Sequence, residues 1–197
     1  MTRNLITLDV RTRAEWRQWL AEHHASSPGI WLVRHKQHAG VKSMPYEDLV
    51  CEALCFGWID SRRWRLDDTF FLQIFTPRKG KSRWSGLNKK RVAALIDAGL
   101  MAPAGHAAIE VAKKNGMWTH LDHVESLVMP PDFVAALAKN AKARAYFDAS
   151  SPWTQKVCLY RLNGAKRPET RERYIKQLID ALKTGKNPFR MQTKKPS

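Results

Sequence analysis

At 197 residues, with 44% hydrophobic and 26% charged side chains, the chain suits one ordinary domain, or a domain with a helical extension, and is too apolar for wholesale disorder. No apolar run approaches the ~18 residues of a membrane span, and the opening MTRNLITLDVRTRAEW lacks the continuous apolar stretch of a signal peptide, so a cytoplasmic location is expected. The net charge of +16 is segregated: residues 61–100 carry ten basic against three acidic side chains and residues 151–197 twelve against three, whereas 1–60 (seven against seven) and 101–150 (five against five) are neutral. Charge placed in blocks suits an anionic partner if the blocks form one field.

In chain order, Leu5–Val10 reads as a short strand. Residues 12–24 read as a helix, with Thr12 as its cap, Glu15 completing a capping box, and Trp16, Trp19 and Leu20 as its apolar stripe. Residues 30–34 follow Pro28-Gly29 as a second strand, and 46–56 form a helix buried through Leu49, Val50, Ala53 and Leu54 and ended by Gly57. Two β-rich runs, 58–66 and 69–76, make a hairpin around Asp67-Asp68. A two-residue turn there sets Asp60 opposite Phe75, Arg62 opposite Gln73 and Trp64 opposite Phe71. One face then mixes Trp58, Asp60, Arg62, Trp64 and Gln73, which is unusual for a plain core.

Everything further along reads as helix: 85–98, 103–115, 131–139, 142–150, 152–163 and 168–184, several opening on Pro, which suits a first helical turn. The expected class is α+β: a small antiparallel or mixed sheet in the N-terminal part packed with helices, then an all-helical part. The expected organisation is an α+β domain over 1–125, a helical region over 126–185 and a flexible basic tail over 186–197.

The densest chemistry lies in TPRKGKSRWSGLNKKR, residues 76–91, where seven basic side chains occur with no acidic one. It precedes a helix whose first turn is near Ser85, and a helix N-terminus offers unpaired N–H groups to an anion. Arg78, Lys79, Lys81, Arg83 and Arg91 can supply charge-assisted bonds, Trp84 a stacking face and Asn88 a hydrogen bond. Trp58, Asp60 and Arg62 in WIDSR form a neighbouring candidate, and Lys166, Arg167 and Arg171 in AKRPETR a secondary basic one. Capping alone also accounts for AKRPETR, since cations suit one helix end and Glu169 the next helix start.

Four stretches, LCFGWIDS (54–61), QIFTPRKGKSRWSGLNKKR (73–91), MAPAGHAAIEVAKKNGMW (101–118) and AKRPETR (165–171), resemble the YdeI/OmpD-associated proteins, also called bacteriocin-protection proteins. The resemblance covers most of residues 12–185. It implies a role in resistance to cationic antimicrobial peptides and implies no reaction or catalytic set. A chain of +16 repels a cationic peptide, so direct sequestration is not the expected route. Where family members often carry a Trp-Ile pair before the AKRPETR-like motif, this chain has Arg161-Leu162, so packing there is expected to differ.

Other chemistry is sparse. Cys51, Cys55 and Cys158 are too few for a disulfide framework and read as small buried hydrophobes. His35 with His38 and His120 with His123 lack further ligands in pattern, and no nucleophile elbow or dinucleotide fingerprint occurs, so no metal, cofactor or catalytic set is expected. Two ligand readings stand: an accessory protein, not an enzyme, binding nucleic acid, a nucleotide or a phosphorylated partner through its basic segments, or a small-molecule pocket or enzyme built from the hairpin and the Ser85 helix. A protein-protein scaffold is the third alternative.

Overall fold

The structure, a computed structural model, describes residues 5–36, 38, 40 and 43–185. The expected basic tail lies outside the described residues. The chain divides into two compact units, Met1–His120 and Leu121–Ser197.

The first unit begins with β1 (Ile6–Leu8), α1 (Arg13–His23), β2 (Ile30–His35) and α2 (Tyr46–Cys55). Thr12 caps α1 by accepting from the Glu15 amide at 3.2 Å. The Glu15 carboxylate reaches back one residue further than in a standard capping box, accepting from the Arg11 amide at 2.8 Å. Gly57 ends α2 at φ +72°, and a Cβ there would sit 2.9 Å from the Ala104 carbonyl oxygen, so a tight turn and a close approach both require glycine. The hairpin β3 (Trp58–Arg65) and β4 (Phe70–Pro77) follows, then α3 (Gly86–Asp97) and α4 (Pro103–Lys114).

The strands form a mixed sheet in the order β1-β2-β4-β3, with β1 parallel to β2 and the other pairs antiparallel. Its core includes Trp16, Leu20, Ile30, Leu32, Leu49, Leu54, Trp58, Phe75 and Trp84. Arg13 and Arg17 of α1 both hold the buried Glu52 of α2, at 2.5 and 2.7 Å, tying the two helices together.

The hairpin register departs from the expected one. Asp60 stands opposite Phe75, but an irregularity between Asp60 and Arg63 puts Arg63 opposite Gln73, Trp64 opposite Leu72 and Arg65 opposite Phe71. A bulge inserts one residue, and in a strand one residue exchanges the two faces. The connection is correspondingly longer than two residues. Asp67 closes it by accepting at Oδ1 from the Thr69 amide and hydroxyl and from the Phe70 amide.

The second unit is helical: α5 (Asp122–Glu125), α6 (Pro131–Ala138), α7 (Ala141–Ala149), α8 (Pro152–Asn163) and α9 (Pro168–Lys183). Its core includes Phe133, Leu137, Phe147, Cys158, Leu159, Leu162, Leu178 and Leu182. Leu162 of the divergent Arg161-Leu162 pair fills that core, while Arg161 lies 4.4 Å over the Tyr174 ring. Among the described residues no helix is long and apolar enough to cross a membrane.

Candidate functional site

Three rungs of the sheet explain the polar face of the hairpin. The first, Ile30–Phe75–Asp60, lies at the core; the next is Leu32–Gln73–Arg63; the last, towards the turn, is Arg34–Phe71–Arg65. The face therefore passes from apolar to charged within three steps of a two-residue repeat. Gln73 is buried and fully engaged: Nε2 donates to Asp60 Oδ2 (3.1 Å) and to the Ser61 carbonyl (2.8 Å), while Oε1 accepts from Arg63 Nε (2.9 Å). Tyr46, at the start of α2, donates its hydroxyl to Asp60 Oδ2 at 2.8 Å. Burial and that carboxylate push the phenol up to about 12.

The basic segment leaves β4 beside this face. The Arg78 amide donates to the Gly57 carbonyl at 2.8 Å, and its guanidinium lies 3.6 Å over the Trp84 ring. Nη1 donates to the Arg83 carbonyl at 3.2 Å. Nε and Nη2 are covered and have no hydrogen-bond partner. Burial pushes this guanidinium down to about 10, against the opposing pull of Asp60. A cavity of about 160 Å³ lies beside it, between Arg78, Lys79, Gly80 and Trp84 on one side and Ala107, Ala108, Val111 and Ala112 of α4 on the other.

The expected site residues divide sharply. Trp58 is a core residue, its indole N–H donating to the His24 carbonyl at 3.1 Å. Trp84 is 1% exposed, and Arg78 covers its ring, so neither tryptophan offers a free stacking surface. Ser85 caps α3 by accepting from the Asn88 amide at 3.3 Å, so part of that helix N-terminus is already satisfied. Asn88 in turn accepts from Arg91 Nη1 at 2.9 Å, and Arg91 grips Glu47 of α2 through both carboxylate oxygens. Lys79 and Lys81 are exposed, Arg83 is half-buried, and Arg62 is exposed at the bulge, away from the face assigned to it.

In the second unit, Arg171 of AKRPETR donates to both Asp132 oxygens and, through Nη1, to the Leu162 carbonyl at 3.0 Å. It joins α9 to α6 and to the end of α8. Lys166 is exposed, and Arg167 is the residue preceding α9.

Sequence reading missed Arg34, Tyr46 and Arg63, and placed Gln73 on the face without assigning it a role. The bulge hid Arg63. For Arg34 a signal existed, a cation ending the apolar strand IWLVR. For Tyr46 there was none, because its partner lies across the fold. Among the described residues no group of three or more potential metal ligands occurs.

Comparison with known proteins follows the division into units. Residues 8–108, half of the chain, match the model of a domain of unknown function, DUF8412. Residues 126–185 match the model described as Bacteriocin-protection, YdeI or OmpD-Associated. The AKRPETR stretch lies in the second match, LCFGWIDS and the basic segment lie in the first, and MAPAGHAAIEVAKKNGMW begins in the first and runs past its end. No curated protein and no solved structure matches. The chain thus belongs to the DUF8412 family through its sheet-bearing part and carries a Bacteriocin-protection, YdeI or OmpD-Associated domain in its helical part.

Proposed function

We propose that the protein is a cytoplasmic accessory protein, not an enzyme, that binds a small anion at Arg78. One observation carries this reading: a buried guanidinium with two unpartnered nitrogens, stacked on Trp84 and lining a cavity. A covered cation with donors unmet is a standing cost to the fold, and an entering carboxylate or phosphate relieves it through charge-assisted bonds. The opposite wall is alanine and valine, and a cavity of ~150 Å³ holds one benzene, so a carboxylate with a short apolar body fits both walls. Lys79, exposed at the same cavity, adds attraction from solvent. The three unpaired cysteines suit a reducing compartment.

Among the expected ligands, a small anion is favoured over a nucleic acid. Trp58 and Trp84 are buried and cannot stack on bases, and Arg91 and Arg171 are committed to Glu47 and Asp132. The test is a titration of nucleic-acid-free protein with acetate, benzoate, single-stranded DNA and RNA, each at two salt concentrations, followed by tryptophan fluorescence. Saturable carboxylate binding that changes little with salt and is lost in Arg78→Lys is expected. Polymer binding that collapses with salt overturns it in favour of backbone charge. Silence across the panel overturns it in favour of a protein partner.

A further inference from the structure

A second pair of arginines lies on the polar sheet face. The guanidinium carbon of Arg34 is 5.9 and 6.0 Å from the ring centres of Tyr46 and Phe71, and that of Arg63 is 5.5 Å from each of the same rings. Two cations from β2 and β3 therefore share one pair of aromatic rings. No ion pair satisfies either among the described residues. Asp60, the carboxylate of this face, has its Oδ2 engaged by Tyr46 and Gln73 and pairs with neither arginine. Arg63 commits only Nε, to Gln73, leaving both terminal nitrogens. Arg34 makes no side-chain hydrogen bond among the described residues, and its Nε is covered and unsatisfied. Burial first, and then the charge of Arg63, lower the proton affinity of Arg34.

Like charges that share one pair of rings, one of them with a covered donor unmet, are an arrangement an oxyanion resolves. A carboxylate has two oxygens and one charge. A phosphate monoester has three terminal oxygens and close to two charges, enough to accept from both guanidinium groups at once. We propose that Arg34 and Arg63 form a phosphate-binding site, flanked by the Tyr46 and Phe71 rings and separate from the cavity at Arg78. Its natural occupant is a small phosphorylated molecule whose phosphate lies between the two guanidinium groups.

The test is calorimetric titration of the full chain, in phosphate-free buffer, with inorganic phosphate and with adenosine monophosphate. Saturable binding of both is expected, weakened at least tenfold by Arg34→Met and by Arg63→Gln and less by Arg78→Lys. Arg34→Met keeps an apolar stem against the rings, and near-ultraviolet circular dichroism checks that it folds. Arg63 is exposed, so Arg63→Gln decides the matter even if Arg34→Met does not fold. Equal affinity for the two probes shows that the site reads the phosphate alone; tighter binding of the nucleotide shows that the rings add a contact. No saturable binding of either probe, wild-type affinity in Arg63→Gln, or an equal loss in Arg78→Lys overturns the proposal. The last outcome assigns the phosphate to the Arg78 cavity and leaves the proposed function standing.

Discussion

Arg91 of α3 holds Glu47 of α2 through both carboxylate oxygens, and the two ends of that bridge differ in exposure: 11% for the Arg91 side chain and 57% for Glu47. The asymmetry predicts unequal mutational costs. Removing Arg91 leaves an exposed carboxylate that water solvates. Removing Glu47 leaves a covered guanidinium with only Asn88. Glu47→Ala is expected to lower stability by about 1–2 kcal/mol, and Arg91→Met by about half as much.

The same bridge predicts a pH dependence. The hydrogen bonds from Arg91 hold the Glu47 carboxyl below its usual range. A lowered folded-state pKa contributes stability above the unfolded value, about 4.3, and loses it as pH falls through the lowered one. Urea midpoints of wild type and Glu47→Gln should differ at pH 7 and converge in acid as pH falls through the lowered value. A constant gap across that range argues against the pairing.

Tyr46 predicts the opposite edge. Its phenol is raised to about 12, so its contribution is complete below the unfolded value and is lost as pH rises through about 12. Phenolate absorbance should show one of the four tyrosines titrating late. Tyr46→Phe should remove that late step and destabilise the fold by about 1 kcal/mol, because Asp60 loses a donor.

Glu52 is 1% exposed between Arg13 and Arg17, whose side chains are 44% and 37% exposed. Glu52→Ala frees two arginines that can turn to water and should cost about 1–2 kcal/mol. The double change Arg13→Met, Arg17→Met strands a buried carboxylate and should cost about 3–5 kcal/mol. Thermal melts of the two proteins decide it; equal losses would show that Glu52 is better hydrated than its burial implies.

Gly105 lies inside α4, where alanine ordinarily gains about 1 kcal/mol over glycine. Here a Cβ would fall 2.2 Å from the Cys55 carbonyl oxygen and 2.6 Å from Met101 Cε. The methionine can move, but the backbone oxygen cannot without shifting the end of α2. Gly105→Ala should therefore destabilise by about 2–3 kcal/mol net of the helix gain, measurable as a lower urea midpoint. A stabilised variant would mean that α4 slides freely on α2.

Local features were legible in the sequence because their causes lie within a few residues. Thr12 and Ser85 cap α1 and α3, Pro103, Pro131, Pro152 and Pro168 open helices, and Gly57 ends α2. Apolar spacing marked the strands and buried helix faces, and with them the α+β class. The register beyond Asp60 was not legible, because strand residues of either face look alike until a partner strand fixes the bulge. That one inserted residue placed Arg63, rather than Arg62, beside Gln73. Charge was legible as a count but not as availability. Arg91 and Arg171 looked like ligand-binding cations and instead hold carboxylates 44 and 39 residues away in sequence. Only the tertiary structure decided which cations were paired, because pairing depends on what the fold brings within hydrogen-bond reach, and that left Arg34 and Arg78 with covered donors unmet.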